Sequence, residues 1–137
     1  MTLKILILED DPQRITTFHA KLSRHTLVFT DTAADAIAWI QREAEAGQAF
    51  DVIFLDHDLG GQAYVSQSDP NTGSEVVRWL TTYGGVLEQP YIIIHSMNTP
   101  AAEAMEKNLA NHGFEFIYRI PFTQLISKYL DDPSFLQ

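Results

Sequence analysis

The sequence predicts a single α/β domain, residues 1–137, in which a five-stranded parallel sheet carries helices on both faces. Strand and helix patterns alternate five times along the chain, as expected of a (βα)₅ unit. The segments predicted as strands include near-continuous runs of Ile, Leu and Val, which are typical of strands buried on both faces. No internal repeat, low-complexity tract or linker interrupts the pattern, so we expect no second domain.

The first half of the chain predicts three strands and two helices. Asp11-Pro12 is typical of a helix start, because an aspartate N-cap is followed by proline at the first helical position. Thr32 begins a second capping signal, and Gly47 ends the helix that follows. The predicted elements are a strand at 3–8, a helix from 12 to about 23, a strand at 27–29, a helix at 33–46 and a strand at 52–55.

The second half begins with a polar stretch, residues 60–73, which is dense in turn-forming residues. This stretch is either an ordinary surface insertion or a lid over a site at the end of the third strand. Thr99-Pro100 again predicts a helix cap and first turn. The remaining predicted elements are a helix at 74–83, a strand at 91–94, a helix from 99 to 112, a strand at 114–120 and a last helix from 121 that fades near 131.

Composition and charge limit the possible location and partners. The chain has no cysteines, which excludes disulfides and thiolate zinc sites. It lacks a basic-then-apolar leader and an apolar run of about 18 residues, so we expect a cytoplasmic protein that does not cross a membrane. The net charge of −9 disfavours a DNA duplex or an anionic membrane, because phosphates would be repelled at long range. A small phosphate ligand held by a metal remains compatible, and the oligomeric state stays open.

Acidic residues follow the strands at the points where these end. Asp10 and Asp11 come after the first strand, and Asp56 and Asp58 come after the third. The carboxyl ends of parallel strands open onto one crevice, where these carboxylates would repel one another without a cation. Oxygen ligands of this kind favour Mg²⁺, or Mn²⁺. For Asp11 alone, helix capping is an equally good explanation.

The same residues resemble those of a response-regulator receiver domain. The resemblance rests on the acidic run at 9–11, Asp56 after strand three, a small hydroxyl residue after strand four and the Pro-Phe pair at 121–122. It covers nearly the whole chain. It implies a flavodoxin-like three-layer sandwich with strand order 2-1-3-4-5.

The resemblance also implies roles for individual residues. Asp10 and Asp11 would be the acidic pair that holds Mg²⁺ together with Asp56 and the backbone carbonyl of Asp58. Asp56 would accept a phosphoryl group from a histidine kinase.

Several departures from the receiver pattern bear on the site. Receivers carry a lysine before the strand-five proline, where this chain has Ile120. Arg119 is the best candidate to replace it as a phosphate ligand, because arginine binds phosphate oxygens bidentately. Strand alternation would nevertheless aim Arg119 the other way unless the backbone bulges. Either His95 or Ser96 could occupy the hydroxyl position.

Two short strings resemble a narrower group. Leu-Asp-His-Asp-Leu-Gly at 55–60 and His-Ser-Met-Asn at 95–98 are similar to the cyclic-phosphate processing receiver domains. That group is predicted, on genomic and active-site grounds, to act on cyclic phosphates such as those at RNA ends.

Two histidines extend the candidate site. His57 and His95 follow strands that would be neighbours, and two imidazoles near one metal-bound phosphate can divide the proton work between them. Taken singly, His57 is more often a solvated residue and His95 a hydrogen-bonded core residue. Ser96 and Asn98 could donate hydrogen bonds to the phosphate, although Asn98 is equally well explained as a helix cap.

These residues lead to two main hypotheses of function. The first is metal-assisted processing of a cyclic phosphodiester, on a nucleotide or an RNA end, with Asp56, His57 and His95 as catalytic residues. The second is a stand-alone receiver that is phosphorylated on Asp56 by a histidine kinase and signals through protein contacts. A pseudo-receiver that only binds partners is a third reading, which the retained aspartates disfavour.

Overall fold

The computed structural model describes residues 2–84, 89–132 and 134–136. Its centre is a parallel sheet with the strand order β2-β1-β3-β4-β5. The strands are β1 (Lys4–Leu8), β2 (Thr26–Thr30), β3 (Val52–Leu55), β4 (Tyr91–Ile94) and β5 (Ile117–Arg119). The helices are α1 (Pro12–Lys21), α2 (Ala33–Glu45), α3 (Gly73–Tyr83), α4 (Thr99–Asn111) and α5 (Phe122–Gln124), and α5 continues as a π-helical segment, Leu125–Tyr129. The predicted flavodoxin-like fold and its strand order are confirmed.

The side chains of the strands alternate between two cores, one on each face of the sheet. Helices α2, α3 and α4 cover one face, which we call the α2–α4 face; its buried residues include Leu8, Leu55 and Ile94. Helices α1 and α5 cover the other, the α1/α5 face, where Phe18 and Phe54 are buried. Both faces of β1, β3 and β4 are therefore buried from solvent, which explains their near-continuous apolar runs.

Strand β5 is shorter than the predicted 114–120. The backbone turns after α4 at Gly113, whose φ is +87°, and the N–H of Phe114 still bonds to the Leu109 carbonyl at 3.2 Å. Phe114 is buried by packing on the α2–α4 face and not by pairing in the sheet. Phe114 at the start of this apolar segment therefore belongs to the core on the α2–α4 face and not to the strand.

Side-chain caps fix where three helices begin. The Asp11 carboxylate accepts hydrogen bonds from the backbone at the start of α1, and Thr32 does the same for α2. At α4 the N-cap is Asn98 and not Thr99, because the Asn98 side chain accepts from the Ala101 N–H. In the described part of the chain, every helix is too short or too polar to cross a bilayer.

Candidate active site

The strand register brings three polar side chains together at one edge of the sheet. The last residues of β1, β3 and β4 are paired with one another, so the residues that follow them, Glu9, Asp56 and His95, lie side by side. Alternation directs all three toward the α1/α5 face. One ligand atom from each lies within 4.8 Å of the other two, and all three residues are buried.

Arg14 and His95 are the side chains that contact this acidic pair. His95 Nε2 lies 3.0 Å from Glu9 Oε1. Arg14 Nη1, from the first turn of α1, lies 3.6 Å from Glu9 Oε1 and 3.9 Å from Asp56 Oδ2. The Arg14 guanidinium also lies over the Phe122 ring, with its carbon 4.8 Å from the ring centre, which is cation–π distance.

His95 is held beneath the site by aromatic packing. Its ring lies edge-on to Phe18, with ring centres 5.1 Å apart, and contacts Phe54 and Phe122 at 6.2 and 6.3 Å. Its Nδ1 is buried without a hydrogen-bond partner among the described residues. A proton on Nδ1 would have no acceptor, so the tautomer with the proton on Nε2, donating to Glu9, is the satisfied one.

Burial and mutual repulsion set the ionisation of the two carboxylates. Burial raises the pKa of Asp56 to about 6; His95 opposes the shift and the charge of Glu9 adds to it. Burial also acts to raise the pKa of Glu9, but the hydrogen bond and electrostatic interaction with His95, the Asp11 N–H and the Arg14 charge together outweigh burial and hold this pKa below its ordinary value. Glu9 is thus the more acidic member of the pair.

Asp58 is the centre of a second hydrogen-bond network. Its Oδ1 accepts from His57 Nδ1 at 2.8 Å, from Asn98 Nδ2 at 3.1 Å and from the Val65 N–H at 3.1 Å. Its Oδ2 accepts from the Tyr64 N–H at 2.6 Å. Burial acts to raise the pKa of Asp58, but these donors together hold it below its usual range. The Asp58 carboxylate thus connects the end of β3, the segment between β4 and α4, and the long loop.

A cavity of about 470 Å³ opens above the acidic pair. It contains six of the residues that the sequence predicted for the site, which come from the ends of β1, β3 and β4. The lining residues are Glu9, Asp10, Asp11, Pro12, Arg14, Asp56, Asp58, Gly61, Gln62, Ala63, Tyr64, Ser96, Met97 and Asn98.

The 60–73 loop forms one wall of this cavity. The Gly61 N–H donates to Asp10 Oδ2 at 2.8 Å. Further along, Arg78 Nη1 donates to the Gln67 carbonyl at 2.6 Å and its Nη2 to the Asp69 carbonyl at 3.3 Å. The loop is therefore attached both to the acidic run after β1 and to α3, and it contributes side chains to the site.

Three predicted site residues lie outside the cavity. His57 and His95 are fully buried beneath it, and each contacts a carboxylate that lines it. Arg119 Nη1 lies 3.7 Å from Glu103 and its Nε lies 3.5 Å from Glu106, both on α4. The alternation of β5 explains this orientation, because Arg119 points toward the α2–α4 face and Ile120 toward the α1/α5 face.

The structure decides two alternatives that the sequence left open. Ser96 lines the cavity and His95 lies below it. Asn98 lines the cavity and is also the cap of α4, so both groups of its amide are engaged within the protein. Asp11 likewise lines the cavity while its Oδ1 accepts the Gln13 N–H at 2.8 Å.

Sequence reasoning missed two residues of the site, Glu9 and Arg14. Glu9 is the first residue after β1, as Asp56 is the first residue after β3. This shared position could have identified Glu9 from the sequence. Arg14 lies one helical turn before Phe18, the buried residue of α1, so helical spacing places it on the face that covers the sheet. Its position over the acidic pair follows from the docking of α1, which the sequence does not specify.

The donor set suits a hard divalent cation. Carboxylates of Glu9, Asp10 and Asp56 line one cavity, and oxygen ligands of this kind are those preferred by Mg²⁺ and Mn²⁺. Within the described residues, the cluster of Glu9, Asp56 and His95 is the group whose ligand atoms approach closely enough to share an ion.

The fold of this protein is shared with solved receiver domains. It is similar to the Mn²⁺-bound form of the response regulator Rcp1, with 18% identity, a TM-score of 0.61 and coverage of 86% of this chain and 80% of that chain. It is also similar to a CheY-like receiver domain from Methylobacillus flagellatus, with 18% identity, a TM-score of 0.58 and coverage of 91% and 93%. The receiver domain of the histidine kinase CKI1 from Arabidopsis thaliana matches with 16% identity, a TM-score of 0.58 and coverage of 85% and 80%.

A sequence-family comparison narrows this class. The family model of the cyclic-phosphate processing receiver domain matches residues 5–111, and the chain belongs to this family. No curated protein matches the chain significantly. The predicted resemblance, both to receivers and to this narrower group, is confirmed.

Proposed function

We propose that this domain binds a divalent cation and hydrolyses a cyclic phosphodiester carried by a nucleotide or an RNA end. The observation that carries the proposal is the pair of buried carboxylates, Glu9 and Asp56, side by side beneath a cavity of about 470 Å³. A buried acidic pair of this kind is costly unless a cation or a proton neutralises it. Membership of the cyclic-phosphate processing family points to the substrate class.

The ligands we propose for Mg²⁺ or Mn²⁺ are the carboxylates of Glu9, Asp10 and Asp56 with the backbone carbonyl of Asp58. Glu9 takes the place for which the sequence suggested Asp11, because the Asp11 carboxylate already caps α1. Such an ion, when bound, neutralises charge on phosphoryl oxygens and acidifies a bound water.

Arg14 is the cation that we propose for the phosphate, in place of Arg119. It lines the cavity beside both carboxylates, whereas Arg119 is paired with α4. Ser96 lines the cavity from the end of β4 and offers a hydroxyl donor. Arginine in a partly buried site binds phosphate oxygens bidentately and so orients them.

The proposed reaction is a hydrolysis that balances with one water. The water oxygen forms a bond to phosphorus, the bond from phosphorus to one ribose oxygen breaks, and the products are a phosphomonoester and a free hydroxyl. A proton leaves the water and one reaches the departing oxygen.

In this proposal both histidines are positioning residues. His95 donates to Glu9 and His57 to Asp58, so each orients a carboxylate that lines the cavity without lining it itself. Their effect on a ligand passes through these two carboxylates.

Turnover of adenosine 2′,3′-cyclic phosphate with Mg²⁺ or Mn²⁺ tests the proposal. We expect the wild type to form the monoester, and Asp56→Asn and Glu9→Gln to abolish its formation. His95→Gln should lower kcat while leaving a folded protein, which thermal melting checks. Arg119→Gln is the matched control and should retain full activity. An inactive wild type at saturating metal would refute hydrolysis.

A phosphorylated receiver is the second candidate. Asp56 ends β3 and Ser96 follows β4, both within the cavity, as the receiver resemblance requires. The buried Ile120 occupies the place of the receiver lysine, which disfavours this candidate. Incubation with acetyl phosphate and Mg²⁺, followed by intact-mass measurement, would detect one phosphoryl adduct on the wild type and none on Asp56→Asn.

A further inference from the structure

One residue of the cavity wall has an exposed aromatic side chain and a strained backbone conformation. Tyr64 lines the cavity and is 77% exposed. Its φ is +54°, in the left-handed region that a bulky residue adopts only at an energetic cost. Strain of this kind persists where the surrounding structure enforces it, and it clusters at ligand sites.

The Tyr64 backbone is enforced by the acidic site itself. Asp58 accepts hydrogen bonds from the N–H groups of both Tyr64 and Val65. Arg78 fixes the following part of the loop through the carbonyls of Gln67 and Asp69. Hydrogen bonds at Tyr64 and after it therefore hold the part of the loop that carries this exposed ring at the cavity wall.

A phosphate and a metal alone would leave this wall of the cavity without a partner. The volume of about 470 Å³ falls in the range of sites for small organic ligands. Met97, which is 43% exposed, lines the same cavity from the segment after β4. The site thus combines a polar floor with an aromatic and an apolar side chain near its mouth.

We propose that Tyr64 is a stacking surface for the nucleobase of a ligand whose phosphate lies at the acidic cluster. This inference rests on the proposed function and adds that the substrate is recognised by a base as well as by its phosphate. Stacking on one ring tolerates any base, so we expect weak discrimination between adenine and cytosine. The net charge of −9 favours a mononucleotide over a long polynucleotide, whose further phosphates would be repelled.

Calorimetric titration with two probes tests the inference. Adenosine 3′-monophosphate, a phosphomonoester product of the proposed hydrolysis, carries a base, and inorganic phosphate does not; both are titrated in the presence of Mn²⁺. We expect Tyr64→Ala to weaken binding of the nucleotide about 5- to 150-fold, from the usual range of base stacking. Binding of inorganic phosphate should not change. Tyr64→Phe should bind like the wild type, because the ring is kept.

Two further variants guard against trivial explanations. Tyr83→Ala removes another exposed tyrosine, 63% exposed, which lies outside the cavity lining, and should leave both affinities unchanged. Tyr64→Gly relieves the left-handed strain, so a variant that is more stable yet binds the nucleotide weakly would support the role of the ring.

The possible outcomes separate this inference from the proposed function. If the nucleotide binds equally well to the wild type and to Tyr64→Ala, the stacking role is overturned while phosphate processing stands. If inorganic phosphate binds and the nucleotide does not, a base is not recognised. If neither probe binds at saturating Mn²⁺, both proposals are overturned.

Discussion

Substitution of Gly73, the first residue of α3, tests how closely this helix and the long loop pack against the acidic site. A Cβ at this position would lie 2.0 Å from the Asp56 carbonyl oxygen and 2.8 Å from Met105 Cε. The Gly73 N–H also bonds to the His57 carbonyl at 3.2 Å. Its φ lies outside the left-handed region, so the need for glycine arises from close approach alone.

The Gly73→Ala substitution has opposing effects on the free energy of unfolding, and the destabilising effects are the larger ones. Helix propensity alone predicts a gain of up to about 1 kcal/mol, because alanine is the better helix former. The methionine side chain can rotate away, but the Asp56 carbonyl cannot move without displacing β3. Overpacking of this kind costs about 1–3 kcal/mol, and loss of the hydrogen bond to His57 adds about 1 kcal/mol. After the gain in helix propensity is subtracted, we expect a net loss of about 1–3 kcal/mol in the free energy of unfolding.

Urea unfolding followed by circular dichroism measures this loss. Gly47→Ala is the matched control, because Gly47 has φ +74° and nothing within 4 Å of the added Cβ; only backbone strain of about 1 kcal/mol should appear there. A Gly73→Ala protein as stable as the wild type, or more stable, would show that the approach to Asp56 is not the constraint described.

Three other predictions concern the charges of the site. Burial raises the pKa of Asp56 to about 6 from its ordinary value of 3.8, so the stability that the wild type gains from a protonated Asp56 is complete below about pH 4 and is lost as pH rises through 6. Without metal, Asp56→Asn should therefore gain about 3 kcal/mol over the wild type by pH 7, and urea titrations showing no gain with pH would contradict this. Arg14→Met should weaken binding of inorganic phosphate about 10- to 150-fold by loss of a charged hydrogen bond, with Arg119→Gln unchanged in the same calorimetric titration. Asp58→Ala should lower the free energy of unfolding by about 1.5–3 kcal/mol and expose the 60–73 loop to proteolysis, whereas retained protection would show that Asp58 does not hold this loop.

The sequence predicted the fold well where burial is strong. β3 and β4 have the predicted bounds, because each is a short apolar run that begins after an aspartate or a proline and ends at a polar residue. The predicted strand at 114–120 was too long, because Phe114 at its start packs against the α2–α4 face without pairing in the sheet. Strand order was available only through the resemblance to receivers, since hydrophobic periodicity does not determine which strands are neighbours.

The sequence predicted where the site lies in the fold. It predicted less well which side chains contact one another there. Strand ends identified Asp56, Asp58 and Ser96, since topology fixes where such ends meet. The roles of His95 and Arg119 depended on which face each side chain takes. For Arg119 the alternation of β5 already pointed away from the site. For His95 the decisive fact is the packing of Phe18 and Phe122 around its ring, which requires docked helices.

The arrangement of the buried imidazoles favours a fixed site over a phosphorylation switch. A switch needs an element with two arrangements of similar free energy. Here His95 holds Glu9 from within an aromatic core, and His57 holds Asp58, which in turn fixes the loop. Arg14 lies on α1 and stacks on Phe122, so the charge that we propose for the phosphate does not extend from β5, the strand whose lysine serves the switch in receivers. Polar groups fixed before the ligand arrives need little reorganisation during a reaction, and this suits repeated turnover better than storage of a phosphoryl group.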